Sequence, residues 1–155
     1  MDAFDRAEMI GREKFKKDIQ EGCLYEFTSS KFDPIDCFIT GNNGETYAVE
    51  IKDRNCVMAT YAKDGYVLEM AKYRALMDAY EKSGYTPTYR NYFHDGKLTW
   101  MLQDIDITDR IEERLFLKTT ADGCNDYREK DVIFLKKDES VEEICLHNKK
   151  NDIKC

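Results

Sequence analysis

The sequence lacks any long apolar run, and no segment approaches the roughly 18 residues that a membrane-spanning helix requires. Residues 1–6 carry acidic side chains where a secretory signal would be positively charged and then apolar. Internal repeats, low-complexity tracts and linkers are also missing. We therefore expect a cytoplasmic protein that does not associate with membranes.

Histidine is scarce, and the only two, His94 and His147, lie far apart. None of the cysteines forms a C-x-x-C pair, and there is no Gly-rich phosphate loop and no Ser-His-Asp set. Zinc binding, a disulfide framework and triad catalysis are therefore disfavoured. We expect all six cysteines to be reduced and to bind no metal; they are Cys23, Cys37, Cys56, Cys124, Cys145 and Cys155.

Length and composition favour one folded domain over residues 1–155. With 42% hydrophobic and 35% charged residues, the chain can bury one core but is too short for two ordinary domains. The net charge of −7 counts against a simple nucleic-acid binder, since surfaces that follow phosphates are normally basic. Net charge is a sum, however, and does not describe the local field.

An amphipathic helix is predicted over residues 2–20. Phe4, Ala7, Gly11, Phe15 and Ile19 recur at steps of three and four and form one apolar stripe. At about 100° per residue, Glu8 falls inside that stripe and Glu13 on the opposite face. A carboxylate aimed at a core is costly unless it is paired or binds a metal, so Glu8 is the acid of interest in this helix.

A β-hairpin is predicted next, with strands over 35–40 and 46–52. Asn43-Gly44 between two such runs is a strong hairpin signal. The strand period of two places Asp36 on one face of the first strand, and Glu50, Lys52 and Arg54 on one face of the second.

The other elements follow from similar patterns. A second helix is predicted over 66–83, with Glu69 and Lys72 inside its apolar face. The remaining predictions are a loop or short strand at 24–27, strands at 88–93 and 98–104, a short helix or loop at 107–117, a last strand at 131–135 and a charged, frayed tail from 136.

Three elements thus direct charged groups toward apolar faces, which suggests one shared site. Carboxylates hold hard divalent cations through oxygen ligands, and such a cation stabilises negative charge on a phosphate and lowers the pKa of bound water. A lysine two residues after a carboxylate, as Lys52 follows Glu50, can orient that water or neutralise developing charge.

The run from Phe32 to Asp36, a hairpin and then Val49-Glu50-Ile51-Lys52 resembles the core of the PD-(D/E)XK nuclease superfamily. The resemblance extends over residues 4–104. It implies an α/β (or α+β) fold with an αβββαβ core, in which a mixed sheet of four or five strands is flanked by helices. That family usually has Pro directly before the motif Asp, so Asp33 competes with Asp36 for this position, and we prefer Asp36.

The resemblance also implies roles for these residues. Asp36, Glu50 and the Ile51 carbonyl would bind Mg²⁺ or Mn²⁺, Lys52 would be the catalytic lysine and Glu8 an accessory acid. Arg54, Glu69 and Lys72 are candidates for contacts with the substrate phosphate. The implied activity is hydrolysis of DNA in a prokaryotic or phage-infected cell, with RNA, and endo- versus exonuclease action, left open.

Two other interpretations stay open. Alternating Glu50, Lys52 and Arg54 is also typical of a solvated sheet face, and Glu69 with Lys72 of an intrahelical ion pair. The protein would then be a non-catalytic interaction or accessory protein on the same fold, possible in a phage, and the acidic pI favours this rival. A third interpretation is a nuclease that acts as a homodimer or with a basic protein partner.

Overall fold

The computed structural model describes residues 3–29, 33–117 and 127–141. These residues form two α-helices, eight β-strands and three short 3₁₀ turns. In chain order, the helices and strands are α1 Ala3–Asp18, β1 Leu24–Phe27, β2 Cys37–Thr40, β3 Thr46–Asp53, β4 Tyr66–Glu69, α2 Met70–Ser83, β5 Thr86–Phe93, β6 Gly96–Met101, β7 Glu112–Leu117 and β8 Tyr127–Leu135. The 3₁₀ turns are Met58–Tyr61, Leu102–Asp104 and Lys137–Glu139.

Five strands form a mixed central sheet in the order β1-β2-β3-β5-β6. All neighbours are antiparallel except β3 and β5, which are parallel. Parallel neighbours need a crossover connection, which here includes β4 and α2. The predicted fold class, a mixed sheet of four or five strands flanked by the two helices, is confirmed.

A second sheet of three strands, in the order β4-β8-β7, was not predicted. The helix predicted over 66–83 begins only at Met70, because residues 66–69 pair with β8 as strand β4. The alternating burial of Tyr66 and Leu68 has the strand period of two. Over four residues, that period cannot be separated from the next turn of a helix without knowing the partner strand.

The region after the central sheet also differs from its prediction. Residues 107–117, predicted as a short helix or loop, include strand β7, which pairs with β8. The predicted last strand at 131–135 is found, but it begins earlier, at Tyr127. In both cases the pairing partner lies elsewhere in the sequence, and local pattern does not reveal it.

The predicted frayed tail is held in place over its first residues. Trp100 Nε1 donates a hydrogen bond to the carbonyl of Lys136 at 2.9 Å, and Val141 forms an isolated bridge with Thr99. Tail residues 142–155 lie outside the described residues, as do Cys124, Cys145 and Cys155. Cys37 and Cys56 are free thiols.

The two faces of β3 meet different layers. Val49 and Ile51 pack with Phe15 of α1 in one hydrophobic cluster. Gly11 allows α1 to approach closely, because a Cβ there would lie 3.2 Å from Cγ2 of Ile51. Glu50, one residue out of phase, projects from the opposite face, on the side of α2.

Among the described residues, no helix is long and apolar enough to cross a membrane.

Candidate active site

Asp36 lies immediately before β2 and continues its pairing with β3. Its main-chain N–H donates to the carbonyl of Val49 at 3.0 Å. Its side chain then takes the place of a main-chain acceptor for the next residue of the ladder: Oδ2 accepts a 2.8 Å hydrogen bond from the N–H of Ile51. The carboxylate is thus fixed in the plane of the sheet where β2 begins, and it is 6% exposed.

The carbonyl of Ile51 points to the same edge. In an extended strand, the N–H and C=O of one residue point the same way, and the N–H of Ile51 is directed at Asp36. β2 is paired only as far as Cys37 opposite Val49, so it provides no main-chain partner for Ile51. One carboxylate and one main-chain carbonyl therefore converge where the edge of β3 is uncovered.

Glu50 contributes a second buried carboxylate. Its Oε1 lies 3.5 Å from Nζ of Lys52 and 3.6 Å from Nζ of Lys72 on α2. Its Oε2 is buried and has no hydrogen-bond partner among the residues described. A buried carboxylate oxygen without a partner is costly, so this position calls for a proton or a cation.

Burial raises the pKa of Glu50 to about 8; the positive charge of Lys52 lowers it in part, and the negative charge of Asp36 raises it. At neutral pH the metal-free protein therefore holds Glu50 mostly protonated. A cation that binds this carboxyl must displace the proton.

Lys52 remains charged in this setting. Burial lowers its pKa, but the neighbouring acidic groups, Glu50 foremost, together outweigh this effect, and the net pKa of Lys52 is raised. Its ammonium therefore provides a fixed positive charge beside the two carboxyls.

Glu8 reaches the same region from α1. Its side chain is 24% exposed, whereas that of Glu13 is 59% exposed and pairs with Lys16. The structure thus directs Glu8 inward and Glu13 to solvent, as the helical phase predicted. Burial raises the pKa of Glu8, the charge of Asp36 raises it further, and Arg12 lowers it.

Polar contacts with β3 and β5 hold α1 in this phase. Nη1 of Arg90 donates to Asp18, the last residue of α1, at 3.0 Å. Near the middle of the helix, Nζ of Lys14 donates to Asp53 at 2.6 Å. With two contacts on different strands, α1 cannot rotate Glu8 away without breaking an ion pair.

Arg12 is a site residue that the sequence analysis missed. Its Nη2 lies 3.1 Å from Glu8 and 3.3 Å from Asp36, and its Nη1 donates to the carbonyl of Thr28 at 2.8 Å. The i,i+4 spacing of Glu8 and Arg12 is a signal for their pairing. The contact with Asp36 joins residues 24 apart and has no local signal.

One cavity of about 290 Å³ collects these groups. Of the predicted site residues, its lining contains Glu8, Asp36, Glu50, Ile51, Lys52, Arg54 and Lys72, and also Asp33, the competing motif acid. Asp33 is exposed, whereas Asp36 is buried and bonded to β3, so Asp36 has the fixed geometry of the two.

Glu69 is not in the lining, and it does not pair with Lys72. Its carboxylate lies 2.8 Å from Nζ of Lys130 on β8, and the side chain of Lys72 points to Glu50 instead. Burial raises the pKa of Glu69, but the hydrogen bond from Lys130 and the nearby lysine charges together outweigh it, and the net pKa is lowered. The ion pair considered for Glu69 with Lys72 is therefore not formed, whereas Lys72 remains in the cavity lining.

Arg54 lines the cavity, but its guanidinium is already bonded. Nε donates to Asn91 at 2.7 Å, and Nη2 donates to the hydroxyl of Tyr89 at 2.6 Å and the carbonyl of Val67 at 3.0 Å. The group also lies over the ring of Tyr61, 5.4 Å from its centroid. It therefore connects β3 to neighbouring elements and forms one wall of the cavity.

The donor set can be compared with the needs of a hard cation. No group of three or more His, Cys, Asp or Glu side chains suited to a metal ion occurs among the described residues. Asp36, Glu50 and the Ile51 carbonyl are two carboxylates and one main-chain oxygen, a set that Mg²⁺ accepts when water completes its shell. The unpartnered Oε2 of Glu50 fits such an ion.

Comparison with protein-family models, curated proteins and solved structures found no match to this chain.

Proposed function

We propose that the protein is a nuclease that hydrolyses phosphodiester bonds of DNA with Mg²⁺ or Mn²⁺, as the resemblance to PD-(D/E)XK nucleases implies. The observation that carries the proposal is the buried Oε2 of Glu50, which lacks a hydrogen-bond partner in the cavity that also holds Asp36 and Lys52. A solvated sheet face would not bury a carboxylate in this way.

Asp36, Glu50 and the Ile51 carbonyl would hold the cation. When bound, the cation supplies positive charge to the phosphate and lowers the pKa of a water ligand. Asp36 is oriented by the N–H of Ile51, so its second oxygen, which contacts Arg12, is the one that would be left for a cation. The ammonium groups of Lys52 and Lys72 both lie beside Oε1 of Glu50, which leaves Oε2 for the cation.

Lys52 would neutralise charge on the attacking water or the phosphate. Its side chain is 32% exposed, so it can reach a substrate, while Glu50 beside it is almost fully enclosed. Because its pKa is raised, it donates hydrogen bonds as a cation and does not act as a base at neutral pH. Glu8, within the same cavity, can accept a proton or orient a water.

The test is cleavage by the purified full chain. Supercoiled plasmid, linear duplex, branched DNA and RNA are incubated with Mg²⁺, Mn²⁺ or EDTA, together with Lys52→Ala and the control Lys82→Ala, whose lysine is 73% exposed on α2. We expect metal-dependent cleavage by the wild type and the control alone. Nicking of closed plasmid would identify an endonuclease, and action only on linear DNA an exonuclease.

The alternative function is a non-catalytic interaction protein, which the net charge of −7 favours. It predicts no cleavage of any substrate with either metal, and no calorimetric signal for cation binding. If the wild type and Lys52→Ala both bind the cation but the wild type cleaves nothing, the metal site stands and the proposed nuclease activity is refuted.

A further inference from the structure

A nuclease with this active site needs its substrate affinity from another surface. The lining of the active-site cavity contains five acidic and three basic side chains. Before a cation binds, this excess of acidic groups gives the cavity no net attraction for phosphates, and the overall charge of −7 opposes binding further. A separate region of positive charge near the cavity would solve this problem.

A second cavity, of about 670 Å³, has the opposite balance. Its lining contains five basic and three acidic side chains. We call it the basic cavity and define it by its basic residues, Lys63, Arg110, Arg114, Lys136 and Lys137. It lies where the turn before β4 meets the ends of β7 and β8.

Two of the four acidic side chains near the basic cavity pair with its arginines. Arg110 forms an ion pair with Glu139, and Arg114 pairs with Glu112 at 2.8 Å while lying over the ring of Phe134. These pairs hold the two guanidinium groups in place at the rim. The remaining acids, Asp64 and Asp109, are exposed and pair with no basic group in the described ranges.

The three lysines have no such partners. Lys63, Lys136 and Lys137 are exposed, and none forms an ion pair with another residue that the structure describes. Three ammonium groups around one concave surface match the repeating negative charge of a phosphate backbone. They are the side chains that remain available to an anionic ligand.

The turn that carries Lys63 is packed firmly against β8. Gly65 has φ 94°, and a Cβ there would lie 2.9 Å from the carbonyl oxygen of Leu135. Its N–H also donates to the carbonyl of Tyr61 at 2.9 Å. Lys63 is therefore presented from a turn that is packed against the end of β8, where Lys136 and Lys137 follow.

The two cavities are neighbours. Tyr61 lines the basic cavity, and Arg54 lines the active-site cavity. The guanidinium carbon of Arg54 lies 5.4 Å from the centroid of the Tyr61 ring. A nucleic-acid strand that leaves the active-site cavity past Arg54 would thus reach the basic cavity next.

From this arrangement we propose that the basic cavity binds the sugar-phosphate backbone of the nucleic-acid substrate beside the scissile bond, with Lys63 and Lys137 as phosphate contacts. The inference rests on the proposed function, because that function is what identifies the bound strand as nucleic acid. It explains how an acidic protein could bind DNA without a basic partner.

The experiment measures binding without cleavage. A fluorescent DNA duplex is titrated with the full chain in EDTA and again in Ca²⁺, at several salt concentrations, and anisotropy gives the dissociation constant. The test variant is Lys63→Gln with Lys137→Gln. The matched control is Lys17→Gln with Lys82→Gln, which changes the net charge equally at exposed lysines outside both cavities.

Each phosphate contact contributes about 0.9 to the slope of log affinity against log salt on duplex DNA. Loss of two contacts should reduce the slope by about 1.8, which at about 0.1 M salt corresponds to about 60-fold weaker binding. The control should bind like the wild type. Equal losses in both variants, an unchanged slope in the test variant or no binding by the wild type would overturn the inference.

Two further arms separate the alternatives. If deoxyadenosine monophosphate or inorganic phosphate displaces the duplex at micromolar concentration, the basic cavity is a site for a small anion and the inference is wrong. If the test variant loses binding as expected but the wild type cleaves nothing with Mg²⁺ or Mn²⁺, the proposed function fails and the binding surface remains.

Discussion

Glu50→Gln should stabilise the metal-free protein at neutral and alkaline pH. Glu50 is 1% exposed, and burial raises its pKa from the ordinary 4.5 to about 8, with Lys52 opposing and Asp36 adding to the shift. Glutamine has nearly the same shape and carries no charge. The substitution therefore removes a carboxyl group that destabilises the folded protein whenever it is ionised.

The pH window follows from the two pKa values. Between pH 4.5 and about 8, the folded protein holds a proton on Glu50 that the unfolded chain has released. The free energy of unfolding of the wild type then falls by about 1.4 kcal/mol per pH unit as the pH rises. The loss is on the order of 3 kcal/mol at about pH 7, and on the order of 5 kcal/mol once the pH exceeds the folded pKa.

Urea unfolding in EDTA from acidic to alkaline pH measures this difference. Wild type and Glu50→Gln should be equally stable at the acidic end and diverge progressively up to about pH 8. The control Glu13→Gln, whose carboxylate is 59% exposed, should follow the wild type throughout. Parallel curves for wild type and Glu50→Gln would refute the assignment of a buried, destabilising carboxyl at this position.

Adding Mg²⁺ at alkaline pH narrows the stability difference between the two proteins. A ligand that binds only the folded state at about 100 times its dissociation constant stabilises it by about 2.7 kcal/mol. The wild type should gain this stability, whereas Glu50→Gln, which has lost a ligand, should not. An equal gain in both proteins would place the cation elsewhere.

Four further outcomes follow from the site. Lys52→Ala should lower the cleavage rate by about 100- to 1,000-fold, as for other groups that meet developing charge, with cation binding by calorimetry unchanged; equal cleavage would remove Lys52 from the site. Asp36→Asn and Asp36→Ala should both weaken cation binding. Only Asp36→Ala leaves the N–H of Ile51 unpaired, so urea unfolding should show it less stable than Asp36→Asn by about 1–3 kcal/mol. Glu8→Gln should slow cleavage and Glu13→Gln should not; the reverse result would invert the helix assignment. Thiol titration in denaturant should find all six cysteines free, and a lower count in fresh protein would contradict the reduced state.

The parts of the site that sequence could predict are those governed by local periodicity. Asn43-Gly44 fixes the hairpin turn, and Gly44 there has φ 83°, a conformation that favours glycine. From that turn, the period of two places Glu50 and Lys52 on one face. The helical angle likewise separates Glu8 from Glu13. In each case, the information lies within one element.

What sequence could not predict depends on partners distant in the chain. Residues 66–69 became a strand because β8 lies beside them, and Glu69 pairs with Lys130 for the same reason. Nothing in the pattern of α1 distinguishes Arg12 from its other charged residues, yet it approaches Asp36, 24 residues away. Such contacts depend on how the elements pack against one another, and the sequence pattern of a single element does not reveal them.

In this protein, the candidate active site lies where strand β2 ends. β2 is paired with β3 only to Cys37, so the edge of β3 at Ile51 would expose an N–H and a C=O. The carboxylate of Asp36 accepts from the N–H, and the C=O is left facing the cavity that Glu50 enters from the adjacent position. Of the oxygen atoms proposed to hold a cation, the Ile51 carbonyl is therefore one that a longer β2 would have covered. If the proposed site binds a cation, we expect substitutions at Asp36 to change cation affinity and the pairing of this edge together. Substitutions at Glu50 and Lys52, whose side chains take no part in the β2–β3 ladder, should change cation affinity or cleavage without changing that pairing.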